Sequence, residues 1–340
     1  MVTRFTPYTF SQGPTSKNRV VVPPMASQTA DSEGFATART IQHYSRLAAS
    51  GAGLIFAEYT FVNKSGRGEA HQLGADTDDK IVGLSRIAKV IQQSGALAGL
   101  QLVHVGGKTT RDLTGGPLMA PSAVVVPVKG WEPEVPEAMS LEDIRLWVDW
   151  FVAAAGRALN AGFDLVELHA AHGYGLNQWL SPLTNQRSDS YGGSIMGRSG
   201  LLVEIAHEIK SRFPDLLLAV RLPAQDHIEG GLTVIDMAWT VTRLEQVGVD
   251  LIDVSSGIGG WRRPEGRTGQ GYLIGDAALL KAKAQAPVIG VGGIETGEFI
   301  DEILSARKVD FAAVGRAILH DPKAWGELNL SHHRRKLLAV

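Results

Sequence analysis

Eight short apolar runs punctuate the chain, at residues 20–22, 53–57, 97–103, 163–168, 216–220, 250–254, 288–291 and 311–314. Each is continuous rather than alternating, the pattern expected of parallel strands covered on both faces. Between them the apolar positions change to helical spacing, over residues 40–50, 78–94, 141–161, 198–212, 234–247, 275–284 and 297–306. Gly51, Gly95, Gly162 and Gly248 stand where four of these helices must stop before the next strand. The alternation predicts an α/β fold, a (β/α)8 TIM barrel. An open doubly wound sheet usually carries fewer strands and a Gly-x-Gly-x-x-Gly turn after the first, which is missing here. The N-terminal stretch, rich in Thr, Pro and Gly, is expected to form a short hairpin or cap under the barrel. No linker divides the chain, so residues 1–340 read as one domain. The longest irregular stretch, residues 106–140, follows the third strand and contains five prolines, which places an excursion at the catalytic mouth.

Composition narrows the partners. With 44% hydrophobic and 20% charged residues, 340 residues suffice for a large core. A formal net charge of −2 gives no general attraction to nucleic acid or to an anionic membrane. There is no apolar run long enough to span a bilayer, and residues 1–7 lack the apolar stretch of a signal peptide, so a cytoplasmic protein is expected. The absence of cysteine removes disulfides, thiolate zinc sites, iron–sulfur clusters and a cysteine nucleophile.

In a barrel the active site collects at the C-terminal ends of the strands. Those ends carry Pro24, Met25 and Ala26; Gln101 and His104; His169, His172 and Tyr174; Arg221; Ser255 and Ser256; Gly292 and Gly293; and Gly315 and Arg316. Gly292-Gly293 after strand seven and Gly315-Arg316 after strand eight can make tight turns. They can also present backbone N–H groups and a guanidinium to an anion, which argues for a phosphorylated ligand. His169 and His172 admit three readings: hydrogen-bonded core residues, metal ligands, or two imidazole donors converging on one ligand oxygen. No His-Glu-x-x-His or set of strand-end carboxylates supports the metal, and none is assigned. Tyr174 would add a phenol that is protonated at neutral pH.

These residues resemble the old yellow enzyme family of FMN-dependent oxidoreductases. The resemblance runs from Lys17-Asn18-Arg19 to His320-Asp321-Pro322. It is carried by Asn18-Arg19-Val20 through Pro24-Met25, Gln101-Leu102-Val103-His104, His169-Ala170-Ala171-His172-Gly173-Tyr174, the stretch from Ser181-Pro182-Leu183 to Tyr191-Gly192-Gly193, and Val314-Gly315-Arg316. The paired histidines and the length are most similar to the bacterial, thermophilic-like branch. The resemblance implies FMN across the barrel mouth, with Pro24, Met25 and Ala26 along the isoalloxazine, Gln101 and Arg221 at its pyrimidine side, and Gly292, Gly293, Gly315 and Arg316 at its phosphate. It implies NADPH or NADH as reductant, His169 and His172 on the carbonyl oxygen of a small-molecule activated alkene, and Tyr174 as proton donor. A homo-oligomer is compatible with it.

Several positions depart from that branch. Ala26 stands where a redox-tuning Cys or a Thr is usual, Gln28 where a Tyr is common, Tyr59 where a small residue often sits, Gly107 in place of an Arg, and Pro223 where a Ser is common. The arginine-rich loop at residues 261–267 and the basic stretch at 331–336 admit either a contact role or simple solvation. Competing functions are a flavoenzyme acting on nitro compounds, nitrate esters or dienoyl thioesters, a flavin-binding protein without ene-reductase activity, and a metal-dependent barrel hydrolase using His104, His169 and His172. Larger relatives with a cysteine-bound iron–sulfur cluster are excluded as templates.

Overall fold

The computed structural model describes residues 1–11, 13–127 and 133–331. Its centre is a closed barrel of eight strands, β1 (Val20–Val22), β2 (Leu54–Phe61), β3 (Leu97–Val103), β4 (Leu165–His169), β5 (Leu217–Pro223), β6 (Leu251–Ser255), β7 (Val288–Gly290) and β8 (Phe311–Ala313). Every barrel pairing is parallel and joins neighbours in sequence, with β8 closing on β1. All eight apolar runs are barrel strands. β2 and β5 extend past their runs, because the mouth ends of both carry polar residues that interrupt the hydrophobic signal.

Eight principal helices surround the strands: α1 (Ala38–Ala48), α2 (Ile81–Gln92), α3 (Leu141–Asn160), α4 (Gly200–Arg212), α5 (Val234–Gln246), α6 (Ile274–Lys281), α7 (Gly297–Ser305) and α8 (Pro322–Asn329). Three begin in reciprocal capping boxes, at Thr37, Ser140 and Thr233. In α3 the Ser140 hydroxyl accepts from Asp143 N at 3.1 Å while Asp143 accepts from Ser140 N at 2.7 Å. The same helix buries Ile144, Trp147, Val148 and Phe151 on one side. Gly51, Gly95, Gly162 and Gly248 all have positive φ, the left-handed exit expected of them. The seven expected helices are present, and α8 is an addition. Asp321-Pro322 signalled it, with the Asp321 carboxylate accepting from Ala324 N and Pro322 in the first turn.

An antiparallel hairpin, Tyr8–Thr9 with Thr15–Ser16, lies under the barrel. Phe10 is buried beside it, stacked 6.2 Å from Phe311, and the Arg19 guanidinium covers Tyr8 at 4.7 Å. Above this floor, Val21, Leu54, Phe56, Leu97, Leu165, Leu217, Ala219, Leu251, Ile289 and Phe311 fill the barrel interior. Gly99 is required there, since a Cβ would meet the Phe56 ring at 2.4 Å. Strand alternation carries the same face upward by twos, from Leu97 to Gln101, Leu165 to Glu167 and His169, Leu217 to Arg221, and Leu251 to Asp253 and Ser255. The interior therefore turns from apolar to polar along each of these strands. The excursion after β3 contains a short helix, Arg111–Thr114, and a two-residue parallel pairing of Met119–Ala120 with Glu137–Ala138.

Candidate active site

His169 is the last residue of β4 and its side chain is buried. The chain then turns sharply: His172 has φ 61 and Gly173 φ 74, and His172 N donates to Ser256 O at 3.1 Å. A left-handed backbone is unfavourable for histidine, and the turn is what returns its ring toward His169. The two imidazole centroids are 5.0 Å apart, and the His169 and Tyr174 rings are 4.9 Å apart, both pairs nearly perpendicular. Burial, aided by the Arg221 charge, holds both imidazoles well below the usual histidine range. Both are neutral at physiological pH. Ala171 N donates to His169 Nδ1 at 3.3 Å, so the His169 proton resides on Nε2. His172 Nε2 lies 2.7 Å from Ser255 Oγ.

Tyr174 opens the short helix Gly175–Leu180. Burial, and then the negative charge of Glu69, raise its phenol above the ordinary tyrosine value, which keeps its proton in place. Lys108 Nζ donates to His172 O at 2.6 Å and sits 4.6 Å over the Tyr174 ring. Burial lowers that lysine to about 8.

Beneath these groups lies a layer of buried polar side chains. Gln101 Nε2 donates to Glu167 Oε1 at 2.8 Å. Arg221 Nε is 3.1 Å from Asp253 Oδ2, close enough for an ion pair but too poorly aligned for a hydrogen bond. Burial and then Asp253 raise Glu167 well above the carboxylate range, and burial raises Asp253. Glu167 Oε2, Arg221 Nε and both Asp253 oxygens have no hydrogen-bond partner among the described residues. Such atoms are rare in folded proteins and call for a polar ligand.

β8 lies opposite β4 in the ring. Pro24 and Met25 are half-buried after β1, and Ala26 is exposed. Gly315 lies against them: a Cβ there would be 3.4 Å from Met25 Sδ and 3.5 Å from Pro23 Cγ. Gly292 has φ 127, and a Cβ on it would press on Leu273 N at 2.7 Å, so only glycine serves this turn. Gly293 has φ 65, and Arg263 Nη2 lies 3.4 Å from where its Cβ would be. Arg316 is exposed and begins the short helix Arg316–His320. The mouth thus has histidines and a phenol on one wall and bare glycine turns on the other.

The sequence matches the NADH:flavin oxidoreductase / NADH oxidase family over residues 4–333. The NADPH dehydrogenase of Geobacillus thermodenitrificans (strain NG80-2) is 39% identical over 320 residues, covering 94% of this chain and 91% of that one. The NADPH dehydrogenase of Bacillus subtilis (strain 168) is 36% identical over 319 residues, covering 94% and 91%. The chain belongs to the old yellow enzyme family. Among solved structures, the old yellow enzyme homologue from Zymomonas mobilis superimposes with a TM-score of 0.83 at 25% identity, covering 96% of this chain and 92% of that one. Morphinone reductase in complex with tetrahydroNAD, at 24% identity, shares the fold with a TM-score of 0.81, covering 96% and 90%. The protein is an NAD(P)H-dependent flavin oxidoreductase, similar to the Bacillus-type NADPH dehydrogenases of the thermophilic-like branch.

Against the family frame, His104 is the strand-end residue that does not join the mouth. Its ring packs 4.1 Å from Trp147 and 5.9 Å from Trp150, its Nδ1 accepts from Gly106 N at 3.1 Å, and burial lowers its pKa to about 3. A hydrolase reading that needs His104 as a third ligand loses it. Among the described residues no group of three or more His, Asp or Glu side chains is arranged to hold a metal. The loop after β6 is anchored by Arg267, which donates to Tyr272 O at 2.7 Å and pairs with Asp276, itself 3.1 Å from His227 Nε2. The basic stretch beyond Ser331 lies outside the described residues. Sequence reasoning missed Glu167 and Asp253 as mouth residues, although a signal existed, an acidic residue inside an otherwise apolar strand. No helix among the described residues is long and apolar enough to cross a membrane.

Proposed function

We propose that this old yellow enzyme is an FMN-dependent ene-reductase that uses NADPH and reduces the C=C bond of α,β-unsaturated carbonyl compounds. The observation that carries the reading is the convergence of two neutral imidazoles and a protonated phenol on one wall of a mouth whose polar base lacks partners. The residues fit FMN. The unsatisfied atoms of Arg221, Glu167 and Asp253, with Gln101, suit the donor and acceptor edge of an isoalloxazine. The turns at Gly292, Gly293 and Gly315, with Arg316, suit its phosphate, and Pro24, Met25 and Ala26 would line its ring. When bound, FMN supplies reversible two-electron chemistry, taking hydride from NADPH and giving it to the alkene β-carbon. NADPH is favoured over NADH because the relatives from Geobacillus thermodenitrificans and Bacillus subtilis are NADPH dehydrogenases.

His169 and His172 hold the substrate carbonyl by one N–H each and stabilise the negative charge that grows on its oxygen, an effect that increases toward the transition state. Being neutral, they donate hydrogen bonds without handing over a proton. Tyr174 delivers its phenolic proton to the α-carbon. Lys108 fixes the turn that carries His172 and places positive charge over the tyrosine ring as its proton leaves.

The test is an anaerobic half-reaction series. The purified protein, loaded with FMN, should lose its flavin absorbance on adding NADPH and regain it on adding 2-cyclohexenone. A protein that cannot take up FMN overturns the cofactor assignment. Bleaching without recovery by the enone, but with recovery by a nitro compound, moves the activity to another oxidant.

A further inference from the structure

The loop between β6 and α6 carries three arginines, and two of them differ in what they hold. Arg267 is committed to the fold: it pairs with the buried Asp276 carboxylate and donates to Tyr272 O at 2.7 Å. Arg263, four residues earlier, is exposed and has no carboxylate partner among the described residues. Its guanidinium lies 4.6 Å from the centroid of the Tyr272 ring, a stack that restrains an otherwise flexible side chain.

Tyr272 ties that guanidinium to the turn after β7. Tyr272 N donates to Gly292 O at 3.0 Å, and its ring flanks Gly293, where a Cβ would come within 3.1 Å of the ring and 3.4 Å of Arg263 Nη2. The loop is braced at its start as well, since Ile258 N donates to the buried Asp226 carboxylate at 2.8 Å. The barrel order sets the ends of β6, β7 and β8 side by side. Arg263 after β6 and the exposed Arg316 after β8 therefore flank the Gly292-Gly293 turn from the two neighbouring loops, and neither has a carboxylate partner among the described residues.

We infer that Arg263 is a further cofactor-binding residue, a guanidinium clamp on the phosphate of FMN supplied by the loop after β6; this rests on the reading of the mouth as an FMN site. A phosphate monoester carries about −1.5 to −2 charge at pH 7, more than one arginine neutralises. A second planar guanidinium can take two of its oxygens at once. Arg263 has no ion pair to break when the anion arrives, and its stack on Tyr272 reduces the side-chain freedom lost on binding. Riboflavin has the same ring system without the phosphate and gains nothing from this residue. The clamp thus sorts FMN from its unphosphorylated form and governs how firmly the cofactor is retained, while standing apart from the histidines and the phenol that act on the substrate.

The experiment titrates the full-length, flavin-free protein with FMN and with riboflavin, following flavin fluorescence, for the native chain and for Arg263→Gln, Arg263→Lys and Arg262→Gln. Arg263→Gln should raise the Kd for FMN about tenfold or more and leave that for riboflavin unchanged. Arg263→Lys should fall between, because an ammonium keeps the charge but loses the planar fork. Arg262→Gln removes the same charge from the adjacent exposed position and should leave both affinities at the native level. Native FMN affinity in Arg263→Gln overturns the clamp, as does equal weakening by Arg262→Gln, which reduces the effect to a general field, or equal loss of FMN and riboflavin, which makes Arg263 a structural support of the loop. A native chain that binds neither flavin overturns the cofactor reading itself, a separate outcome.

Discussion

The floor and the mouth of the barrel are built on the same inward face of the same strands, yet they differ in how completely their atoms are satisfied. At the floor, Leu54, Leu97, Leu165, Leu217 and Leu251 pack on Phe311 and Phe10, and Arg19 spreads over Tyr8. Two and four residues further along, Glu167, Arg221 and Asp253 are equally buried but keep polar atoms without partners. Burial at one end lowers the free energy of the fold, and at the other raises it until a ligand arrives. The barrel thus concentrates its stability where no chemistry occurs and leaves the reactive end incompletely satisfied.

Mutations can break this division, and the largest effect belongs to the floor. Phe311→Ala should lower unfolding stability by ~3–5 kcal/mol in denaturant titration, through the cavity it leaves, with little specific effect on the half-reactions of the folded fraction. At the mouth, His169→Ala or His172→Ala should raise the barrier to flavin reoxidation by the enone by ~2.7–4 kcal/mol, read by stopped flow, and shift the unfolding midpoint less than Phe311→Ala does.

A pH-dependent difference follows from Glu58, which burial lifts to about 7 against the donors on Ser27. Its folded value lies above its unfolded one, so its contribution to stability is complete below about pH 4.3 and is lost as pH rises through about 7. Glu58→Gln should therefore gain on the native chain by on the order of 2 kcal/mol between pH 5 and pH 8, measured by urea unfolding at both. The smallest effect expected is that of Ser255→Ala. It removes the 2.7 Å contact to His172 Nε2 and should slow reoxidation roughly fivefold, about 1 kcal/mol, because the His172 ring remains held by its backbone turn.

Much of this arrangement was legible in the sequence for a physical reason. Parallel strands under two covers read as unbroken apolar runs, and glycine at helix ends is dictated by backbone geometry, so the barrel followed from residues such as Leu165-Val166 and Gly162. His169, His172 and Tyr174 lie within six residues of one another, and a single strand end brings them together. His104 misled because a strand-end position does not reveal which way a ring turns, and Trp147 and Trp150, some forty residues distant, claim it. The packing of Tyr59 on Val103 and Val105 was illegible, since the register shift in β2 between Ala57 and Thr60 decides which of Glu58 and Tyr59 faces inward. A bulge has no hydrophobic signature of its own.

Ala26, exposed after β1 in a chain without cysteine, has a consequence for endurance in air. Reduced flavins meeting oxygen generate peroxide, and a thiol at that loop would be the first atom consumed on the path to sulfenic and sulfinic acids. Here no thiol exists to be oxidised, alkylated or capped. Around Gly315 the oxidisable sulfur is the thioether of Met25, whose sulfoxide is repairable. Thiol-directed reagents therefore have no target in these 340 residues.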